Sequence, residues 1–441
     1  MARRAVVAGL GGTGQSVIRH LVARGWEVAG TDTRAEPPGF AMLRAVHPDM
    51  QFSVGGLDLH LLIGTDCVVA SPGLPLADPF FAAARARGIE VIGDIELFAR
   101  SGARPVVGIT GTNGKSTVTT LVARMAERAG VVVRAGGNLA PPALDLLEAG
   151  PAKLYVLELS SYQLETTFSL ELVAAAVLNV TPDHLDRYAD LAAYAAAKAR
   201  IFERCAAAVI NLDDPVVAAM ARDKKRRLTF SIEAGPVADY YLSAEITGEW
   251  LCFRGERLIA MDEMLLAGRH NAANALAALA LGDALGLDRV AMLTALAEFP
   301  GLPHRAAFVR ELAGVSYYND SKGTNVGATL AAVAGFAGPL LLIAGGDGKG
   351  QDFTPLAAAL AGRTRLVLLI GRDASRIEAA LGGQLPTLRC ASLEDAVIAA
   401  AHAAQPGDTV LLSPACASLD MFRDYAHRGE VFAAAVGRLA A

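Results

Sequence analysis

A glycine-rich segment that follows an apolar run has the residue types of a triphosphate-binding site. Residues 106–117 read V-V-G-I-T-G-T-N-G-K-S-T. Backbone N–H groups at Gly111 and Gly114 can surround phosphate oxygens. Lys115 supplies a positive charge for the β- and γ-phosphates, and the Ser116 hydroxyl can hold Mg²⁺. The segment therefore predicts an ATP site with these contacts: Gly111, Thr112, Asn113, Gly114, Lys115, Ser116 and Thr117.

The residues around this loop predict the strand–loop–helix order that a phosphate site needs. The stretch T-V-T-T-L-V-A-R-M after Ser116 opens a helix whose N-terminal dipole adds to the attraction for phosphate. The usual G-x-x-x-x-G-K-[ST] pattern has glycine where Ile109 stands, so a chance Gly-Lys-Ser turn is the alternative. The flanking elements favour ATP binding.

A second glycine-rich turn lies near the start of the sequence. Gly9-Leu10-Gly11-Gly12-Thr13-Gly14 follows an apolar strand and opens a helix, and Asp32 ends the next predicted strand. This is the fingerprint of a dinucleotide-binding fold and, taken alone, indicates an NAD-dependent oxidoreductase. A nucleotide diphosphate can occupy the same helix terminus. Because we recognise no hydride-transfer site in the sequence, we favour a binding site for a nucleotide diphosphate such as a UDP-sugar.

Acidic and basic side chains follow the later apolar runs. Glu158 lies near the end of the apolar run Y-V-L-E-L, at the sheet edge where ligands of parallel sheets bind, and could hold Mg²⁺; a surface ion pair is the alternative. Asp183, His184 and Asp186 crowd the next loop, as metal ligands or phosphate partners would. Lys198 lies on an alanine-rich helix, where spacing alone predicts an exposed side chain.

Short apolar runs that alternate with helical stretches predict an α/β protein with parallel sheets covered on both faces. At 441 residues the length suggests about three domains, with boundaries near residues 92–96 and 300–303. The predicted domains are residues 1–94, 95–301 and 302–441. Residues 228–268 have short strands at Tyr240–Leu242, Trp250–Phe253 and Arg257–Ala260, which we interpret as an antiparallel flap on the middle domain.

Composition narrows the class of protein. The chain is 53% hydrophobic and 19% charged, as expected for a compact enzyme, and its net charge of −5 argues against nucleic acid binding. The basic cluster 224–227 is interpreted as a solvated loop. Five scattered cysteines and an N-terminus without signal-peptide features indicate a reducing cytoplasm. No apolar run has the length of a membrane span.

Nine motifs occur in an order that resembles the Mur ligases of peptidoglycan synthesis. They are G-T-N-G-K-S-T, L-E-L-S-S-Y-Q-L-E, N-V-T-P-D-H-L-D-R-Y, A-K-A-R-I-F, H-N-A-A-N-A-L-A-A, G-L-P-H-R, N-D-S-K-G-T-N, G-G-D-G-K-G-Q-D-F and S-P-A-C-A-S-L-D-M-F. The resemblance covers nearly the whole chain and is strongest to the members that add D-glutamate. The D-N-P-R motif of the diaminopimelate- or lysine-adding ligases and the D-D-Y-G-H-H-P motif of the alanine-adding ligases are absent from the sequence. Folylpolyglutamate synthases lack the N-terminal nucleotide domain.

The resemblance implies N- and C-terminal Rossmann-like domains that flank a central P-loop ATPase domain. It implies ATP-dependent ligation of D-glutamate to UDP-N-acetylmuramoyl-L-alanine through an acyl phosphate, with two Mg²⁺ ions and no obligate protein partner. The family's carbamylated lysine matches Lys198, whose ammonium must first lose its proton before CO₂ can add. A non-catalytic nucleotide-binding regulator is a further alternative.

The resemblance also assigns residues to roles. It implies catalytic roles for Lys115, His184 and Lys198, and metal contacts at Ser116, Glu158, His184 and Lys198. It places Asn274 at the adenine, Arg305 at the phosphates and Asp320 at the ribose of ATP. The implied contacts to the UDP-substrate are Thr13, Asp32, Thr33, Arg34, Ser71, Gly73, Asn138 and His184. The implied contacts to D-glutamate are Lys322, Thr324, Lys349, Ser418 and Leu419. The sequence departs from the family pattern at Gly12, where a larger apolar residue is common, and at Tyr425, where Phe is frequent.

Overall fold

The computed structural model describes residues 3–184, 186–221, 223–246, 248–266, 268–336 and 338–440. The chain divides into two compact units. The first unit comprises Met1–Val180, Ala192–Ala260 and Ala273–Ala297. The second unit comprises Thr181–Leu191, Met261–Ala272 and Glu298–Ala441. The described residues form three sheets, so the predicted α/β class is confirmed. The bounds of the three predicted domains remain predictions.

The first sheet of the first unit is a five-stranded parallel sheet in the order β3-β2-β1-β4-β5. Its strands are β1 (Arg4–Ala8), β2 (Glu27–Asp32), β3 (Phe52–Val54), β4 (Cys67–Ala70) and β5 (Glu90–Ile92). Its helices are α1 (Gly12–Val22), α2 (Phe40–Val46), α3 (Pro79–Ala86) and α4 (Asp94–Arg100), with a 3₁₀ turn at Leu59–Leu62. The strand order reverses between β1 and β4, and a crevice at such a switch point is where open α/β sheets bind ligands.

The second sheet of the first unit has nine strands in the order β14-β13-β12-β11-β10-β9-β6-β8-β7. Its strands are β6 (Val106–Thr110), β7 (Val133–Gly137), β8 (Leu154–Glu158), β9 (Ala174–Val177), β10 (Ala208–Asn211), β11 (Arg227–Ser231), β12 (Tyr240–Glu245), β13 (Gly248–Phe253) and β14 (Glu256–Ala260). Helix α5 covers the centre of this sheet with fully buried Val118, Leu121, Val122 and Met125. Every residue of β6, β8 and β9 is buried. Burial of both faces of these strands explains why they are continuous apolar runs.

The helices of the middle region connect these strands. They are α5 (Lys115–Arg128), α6 (Asp145–Glu148), α7 (Ser161–Glu165), α8 (Leu191–Ala199), α9 (Pro215–Met220), α10 (Arg269–Ala284) and α11 (Arg289–Ala297), with 3₁₀ turns at Arg200–Phe202, Gly235–Val237 and Met261–Glu263. The predicted flap over residues 228–268 needs correction. β12, β13 and β14 are antiparallel as expected, but β11 and β12 pair in parallel and make the segment a continuation of the sheet.

The third sheet lies in the second unit and has the order β15-β16-β20-β17-β18-β19. Its strands are β15 (Ala307–Leu312), β16 (Val315–Asn319), β17 (Leu340–Gly345), β18 (Thr364–Ile370), β19 (Thr387–Arg389) and β20 (Thr409–Leu412). Its helices are α12 (Val326–Ala334), α13 (Thr354–Leu360), α14 (Ala374–Leu381), α15 (Leu393–Ala403) and α16 (Tyr425–Arg438). Strands β16, β20, β17, β18 and β19 are parallel, so their carboxyl ends meet at one edge.

Other sequence predictions have clear outcomes in the structure. In the basic cluster 224–227, Lys225, Arg226 and Arg227 are exposed as predicted. The interpretation as a loop is wrong for Arg227, which is the first residue of β11. All five cysteines are free thiols. Within the described residues, no helix has both the length and the apolar character that crossing a membrane requires.

Asp94, at the start of α4, has a buried carboxyl group with a raised pKa. The residue is 2% exposed, its Oδ2 accepts a hydrogen bond of 3.0 Å from Gln163, and its Oδ1 has no partner among the described residues. Burial raises the pKa of Asp94 from 3.8 to about 6, against the opposing hydrogen bond from Gln163. The folded state therefore binds this proton more tightly than the unfolded state does.

We expect Asp94→Asn to stabilise the protein at neutral pH. Because the folded-state pKa is raised, the wild type loses stability as the pH rises from 3.8 to about 6, and the full cost persists above that range. This shift corresponds to at most about 3 kcal/mol, which the neutral amide avoids. Thermal midpoints of variant and wild type should coincide near pH 4 and diverge by pH 8. Asp49→Asn, at an exposed position, is the control, and an Asp94→Asn protein less stable than wild type at pH 8 would contradict this account.

Candidate active site

The loop between β6 and α5 has a backbone that only glycine suits at two points. Gly114 precedes α5 with φ of 84° in the left-handed region, and a Cβ there would lie 2.3 Å from the Asn274 Oδ1. A Cβ on Gly111 would lie 3.0 Å from that of Leu178. The loop is therefore compact, and buried Asn274 lies directly beside it. The structure thus brings Asn274 to the predicted ATP loop.

Asn179, two residues after β9, holds this loop from the neighbouring segment. Its backbone carbonyl accepts a hydrogen bond from the Thr112 N–H at 2.9 Å, and its side-chain oxygen accepts one from the Asn113 N–H at 2.8 Å. Its amide nitrogen donates to the Asn113 carbonyl at 3.2 Å. The sequence analysis missed Asn179, although N-V-T-P-D-H was one of its motifs. The only signal was its place just after an apolar strand.

Lys115 and Ser116 begin α5, directly after the glycine-rich loop. The Lys115 Nζ donates to the carbonyls of Gly111 and Thr112, each at 2.9 Å. Ser116 and Thr117 are buried in the first turn of the helix. The ammonium therefore lies against the loop that it would serve, at the N-terminal end of a helix dipole that favours anions.

Lys198, on α8, is a correction to the prediction from helix spacing. Spacing predicted an exposed side chain, but Lys198 is 1% exposed. Its Nζ donates to the Gly111 carbonyl at 2.9 Å and lies 4.3 Å from the centre of the buried Tyr194 ring. An alanine-rich helix packs closely against its neighbours, which covers the long side chain. Two ammonium groups, those of Lys115 and Lys198, thus converge on one carbonyl oxygen.

Glu158 is the last residue of β8 and is 3% exposed, so its predicted place at a strand end is confirmed. Its Oε1 accepts a hydrogen bond of 2.6 Å from the Asn138 side chain, and the Asn138 N–H donates to the Glu158 carbonyl at 2.8 Å. Its Oε2 is buried with no hydrogen-bond partner among the described residues. A buried carboxylate oxygen without a partner is costly, and a cation would satisfy it.

The fit of this carboxylate to a metal can be judged from its chemistry. Within the described part of the chain, no three His, Cys, Asp or Glu side chains form a group able to hold a metal ion. Of the four residues that the resemblance implies as metal contacts, only Glu158 and His184 belong to these four residue types. The orphaned Glu158 oxygen and the serine hydroxyl at the start of α5 are hard oxygen donors, which suit Mg²⁺ bound partly by substrate phosphates.

Asp32, the last residue of β2, organises the crevice of the first sheet. Its two oxygens accept hydrogen bonds from the Leu10 N–H at 2.7 Å and from the Arg34 N–H, Nε and Nη2 at 2.9, 2.9 and 2.7 Å. Burial alone would raise the pKa of Asp32, but these hydrogen bonds outweigh it and lower the pKa. The same pairing raises the pKa of Arg34. A carboxylate with four donors has little capacity left for ribose hydroxyls.

The loop after β1 meets the end of β4 in this crevice. A Cβ on Gly14 would lie 1.8 Å from the Gly9 carbonyl oxygen, and one on Gly9 would lie 2.5 Å from the Ser71 Cβ. Glycine is therefore required where this turn packs on itself and on Ser71. Thr13 and Ser71 are half-buried, and Thr33, Arg34 and Gly73 are exposed at the same carboxyl-end edge of the sheet.

In the second unit, Asp183 ties the 181–191 segment to the loop after β17. Its Oδ1 accepts a hydrogen bond of 2.6 Å from the Lys349 Nζ, and its Oδ2 accepts one of 3.1 Å from Asn325. Burial would raise the pKa of Asp183, but the charges of Lys349 and His184 lower it. His184 has a positive φ of 57°, and its Nε2 lies 3.7 Å from the Asp183 carboxylate.

Asp320 and Arg305 lie in the loops beside β16. The Asp320 Oδ2 accepts a hydrogen bond of 2.7 Å from Ser413, and its Oδ1 accepts one of 3.2 Å from the Ala306 N–H. Burial raises the pKa of Asp320 to about 6, and the charge of Arg305 acts in the opposite direction. Arg305 is half-buried between two residues of positive φ, His304 and Ala306.

The five residues implied to contact D-glutamate follow three neighbouring strands of the third sheet. Lys322 and Thr324 follow β16, Lys349 follows β17, and Ser418 and Leu419 follow β20. The Lys322 Nζ lies 3.7 Å from the centre of the Tyr425 ring, and Leu419 is 73% exposed. Because parallel strands share a carboxyl-end edge, the fold brings these residues to one edge of the second unit.

Arg428, on α16, was missed by the sequence analysis. It is fully buried, and its guanidinium donates to the Ser321 hydroxyl at 3.0 Å, the Ser321 carbonyl at 2.8 Å and the Cys416 carbonyl at 3.1 Å. It thereby joins the loops after β16 and β20. Burial lowers the pKa of Arg428 to about 10. An arginine in an amphipathic helix gives no sequence signal of such burial.

Comparisons with known proteins cover nearly the whole chain. Three family models match: the Mur ligase MurD-like N-terminal domain over residues 3–93, the Mur ligase middle domain over 109–282 and the Mur ligase glutamate ligase domain over 304–416. The UDP-N-acetylmuramoylalanine--D-glutamate ligase of Nitrosococcus oceani is 53% identical over 438 residues, which is 99% of this chain and 97% of that protein. The ligase of the same name from Marinobacter nauticus is 51% identical over 98% of this chain and 97% of its own length.

Solved structures are similar in fold. The UDP-N-acetylmuramate-alanine ligase of Thermotoga maritima has a TM-score of 0.62 at 20% identity and covers 98% of each chain. The MurF ligase of Thermotoga maritima in complex with ADP has a TM-score of 0.62 at 18% identity and covers 100% of this chain and 96% of that one. Family models over most of the sequence and relatives at about half identity agree, and the chain belongs to the Mur ligase family.

Proposed function

We propose that this protein is an ATP-dependent ligase that joins D-glutamate to UDP-N-acetylmuramoyl-L-alanine and releases ADP and phosphate. The observation that carries the proposal is the glycine-rich loop with Lys115 and Ser116, in a chain whose relatives at about half identity bear the name of this reaction. A carboxylate is a poor electrophile, so the reaction needs a leaving group on the alanine carboxyl group before an amine can attack.

We propose that the β6–α5 loop binds the phosphates of ATP during phosphoryl transfer. The alanine carboxylate attacks the γ-phosphorus of ATP, the bond to the β–γ bridging oxygen breaks, and ADP leaves. Lys115 exchanges its bonds to the loop carbonyls for phosphate oxygens and offsets the negative charge that develops. Backbone N–H groups at the start of α5 hold the same oxygens. Asn274 is proposed at the adenine, Arg305 at the phosphates and Asp320 at the ribose.

Two Mg²⁺ ions are part of the proposal. Ser116 and Glu158 would hold one, and His184 with a carbamylated Lys198 would hold the second. When bound, Mg²⁺ neutralises phosphate charge and orients the γ-phosphate. The support from this structure is the buried, unpartnered oxygen of Glu158 and the burial of Lys198 beside Gly111. A buried amine more readily reaches the neutral form that adds CO₂.

The amide bond forms in the second half of the reaction. The amine of D-glutamate attacks the carbonyl carbon of the acyl phosphate, and phosphate leaves with one oxygen of the original carboxylate. We propose that Lys322, Thr324, Lys349, Ser418 and Leu419 bind D-glutamate, with Lys349 held by Asp183 and the loops joined by Arg428. The UDP-substrate is proposed to bind at Thr13, Asp32, Thr33, Arg34, Ser71, Gly73, Asn138 and His184. Asp32 would contribute by orienting Arg34 and the Leu10 N–H, not by receiving ribose hydroxyls.

The proposal is tested by supplying the substrates to the full chain. With ATP, Mg²⁺ and UDP-N-acetylmuramoyl-L-alanine, we expect phosphate release and a new amide product with D-glutamate. Phosphate release is expected to fall at least about a hundredfold with L-glutamate, D-alanine or meso-diaminopimelate. Product mass and phosphate are measured together. Nucleotide binding without turnover in any mixture would favour the non-catalytic regulator, and equal turnover with all the amino acids would contradict the assignment to D-glutamate.

An oxidoreductase is disfavoured by the state of Asp32. In dinucleotide-binding folds the acidic residue after the second strand receives the ribose hydroxyls of NAD. Here that carboxylate already accepts four hydrogen bonds from Leu10 and Arg34. Tight binding of NADH that UDP does not displace would restore this alternative.

A further inference from the structure

A cavity of about 540 Å³ lies at the edge of the first sheet that is opposite the nucleotide crevice. Ala5, Cys67 and Glu90, which begin or nearly begin β1, β4 and β5, line it. The crevice with Gly9 and Ser71 follows the carboxyl ends of the same strands. The cavity is therefore a separate site, and its volume is in the range of small-molecule pockets.

Apolar residues make up half of the cavity lining, and charged or polar residues make up the other half. Leu21, Val69, Ile92 and Leu97 contribute apolar walls from α1, β4, β5 and α4, and each is at most 8% exposed. Trp26 lines the rim, with the Arg3 guanidinium 5.6 Å from the centre of its ring. Apolar walls with an indole beside them favour a flat, aromatic molecule.

His20 adds a directional polar group to these walls. The residue lines the cavity and is 5% exposed, and its Nδ1 is buried with no hydrogen-bond partner among the described residues. The Arg24 Nη1 donates to the His20 carbonyl at 3.1 Å. Burial, followed by the charge of Arg24, lowers the pKa of His20 to about 4, so the imidazole is neutral at physiological pH. A neutral imidazole can exchange a hydrogen bond with a ligand hydroxyl.

The charged groups at the rim differ in the hydrogen-bond and ion-pair partners that they already have. Arg100 pairs with both Glu90 and Glu96, at 2.5 and 2.8 Å. Asp66 accepts a hydrogen bond from the Arg4 N–H at 2.8 Å. Arg24 has only a long pair with Glu148 at 3.7 Å, and Arg3 makes no ion pair with a described carboxylate. The two weakly paired guanidinium groups would attract an anion at the mouth.

We propose that this cavity binds a small aromatic carboxylate, with its ring between Leu21 and Ile92, a polar substituent at His20 and its carboxylate at Arg3 and Arg24. The site would act separately from the nucleotide crevice. Helix α4 lines the cavity and connects β5 of the first sheet to β6 of the second sheet. A bound molecule would therefore contact this connecting segment.

The test uses the full chain and 6-hydroxy-2-naphthoate, which carries both a hydroxyl and a carboxylate on a flat ring. Calorimetry is expected to show one-site binding that saturating UDP does not displace. Arg3→Glu, an exposed charge reversal, should weaken binding at least tenfold, whereas Arg44→Glu on α2 should leave it unchanged. The neutral 2-naphthol should bind at least tenfold more weakly and show no difference between wild type and Arg3→Glu.

The role of His20 is tested separately. His20→Leu keeps the apolar volume and removes the unpartnered nitrogen, so the variant should fold with an unchanged or raised thermal midpoint. Its affinity for 6-hydroxy-2-naphthoate should fall about tenfold, and its affinity for 2-naphthoate, which lacks the hydroxyl, should match that of wild type. Absence of binding, displacement by UDP, or affinities that neither Arg3→Glu nor His20→Leu changes would overturn the proposal.

Discussion

Replacing Lys115 with alanine is expected to lower ADP and phosphate release at least about a hundredfold, the usual cost of losing a preorganised charge at a phosphoryl-transfer site. The Lys115 ammonium lies at the start of α5, 2.9 Å from the carbonyls of Gly111 and Thr112. Because Lys115 stabilises negative charge that develops during phosphoryl transfer, we expect its replacement to lower kcat more than it changes KM. Coupled measurement of ADP and phosphate checks this.

Lys153→Ala is the matched control, since Lys153 is an exposed lysine just before β8. It should retain wild-type turnover. The thermal midpoint of Lys115→Ala is measured alongside, so that a folding defect is distinguished from a chemical one. Normal turnover in folded Lys115→Ala protein would remove the loop from the mechanism.

Lys198→Ala is expected to have a second large effect, a loss of turnover of about a hundredfold or more. Lys198 is 1% exposed, and its truncation leaves space beside Gly111. If the functional form is the carbamate, a small carboxylic acid can occupy this space and replace the missing anion. Added acetate or formate should therefore restore at least about a tenth of wild-type turnover.

The alternative for Lys198 is a structural ammonium that only supports the Gly111 carbonyl. That role predicts recovery by small amines such as methylamine and none by carboxylates. Sodium chloride at the same ionic strength controls for salt. Recovery with methylamine alone, or full activity of Lys198→Ala without any addition, would contradict the carbamate.

Much of the fold could be predicted from the sequence because its strands are short apolar runs in a fixed alternation with helices. The apolar run that opens residues 106–117 is β6, the run that contains Glu158 is β8, and Glu158 was correctly placed near a strand end. The pairing of β11 with β12 was not predicted, because strand direction depends on which neighbour is closest in space. Amphipathic patterns do not contain that information.

Burial of polar side chains was the main feature that the sequence could not provide. Helix spacing placed Lys198 in solvent, and only the family resemblance argued against it. The sequence analysis missed Arg428 and Asn179 because the side chain of each hydrogen-bonds to backbone groups outside its own local segment. Such contacts follow from tertiary packing, so local patterns carry no trace of them.

Asp183 illustrates the same limit within the second unit. The sequence marked it as one of several acidic residues in a loop, yet it is 166 positions from Lys349, with which it pairs at 2.6 Å. Its low exposure and its two partners fix the orientation of the lysine. The ordered motifs identified the segments that contain Asp183 and Lys349, but they did not predict the ion pair between these two residues.

The acyl phosphate is tested most directly by the fate of a carboxylate oxygen. UDP-N-acetylmuramoyl-L-alanine labelled with ¹⁸O at both oxygens of the alanine carboxyl group is incubated with the protein, ATP, Mg²⁺ and D-glutamate, and the released phosphate is analysed by mass spectrometry. One ¹⁸O atom is expected in each phosphate and one in each amide product, because attack on the γ-phosphorus transfers a single carboxylate oxygen. Unlabelled phosphate, released together with an amide product, would contradict activation of the carboxylate by ATP.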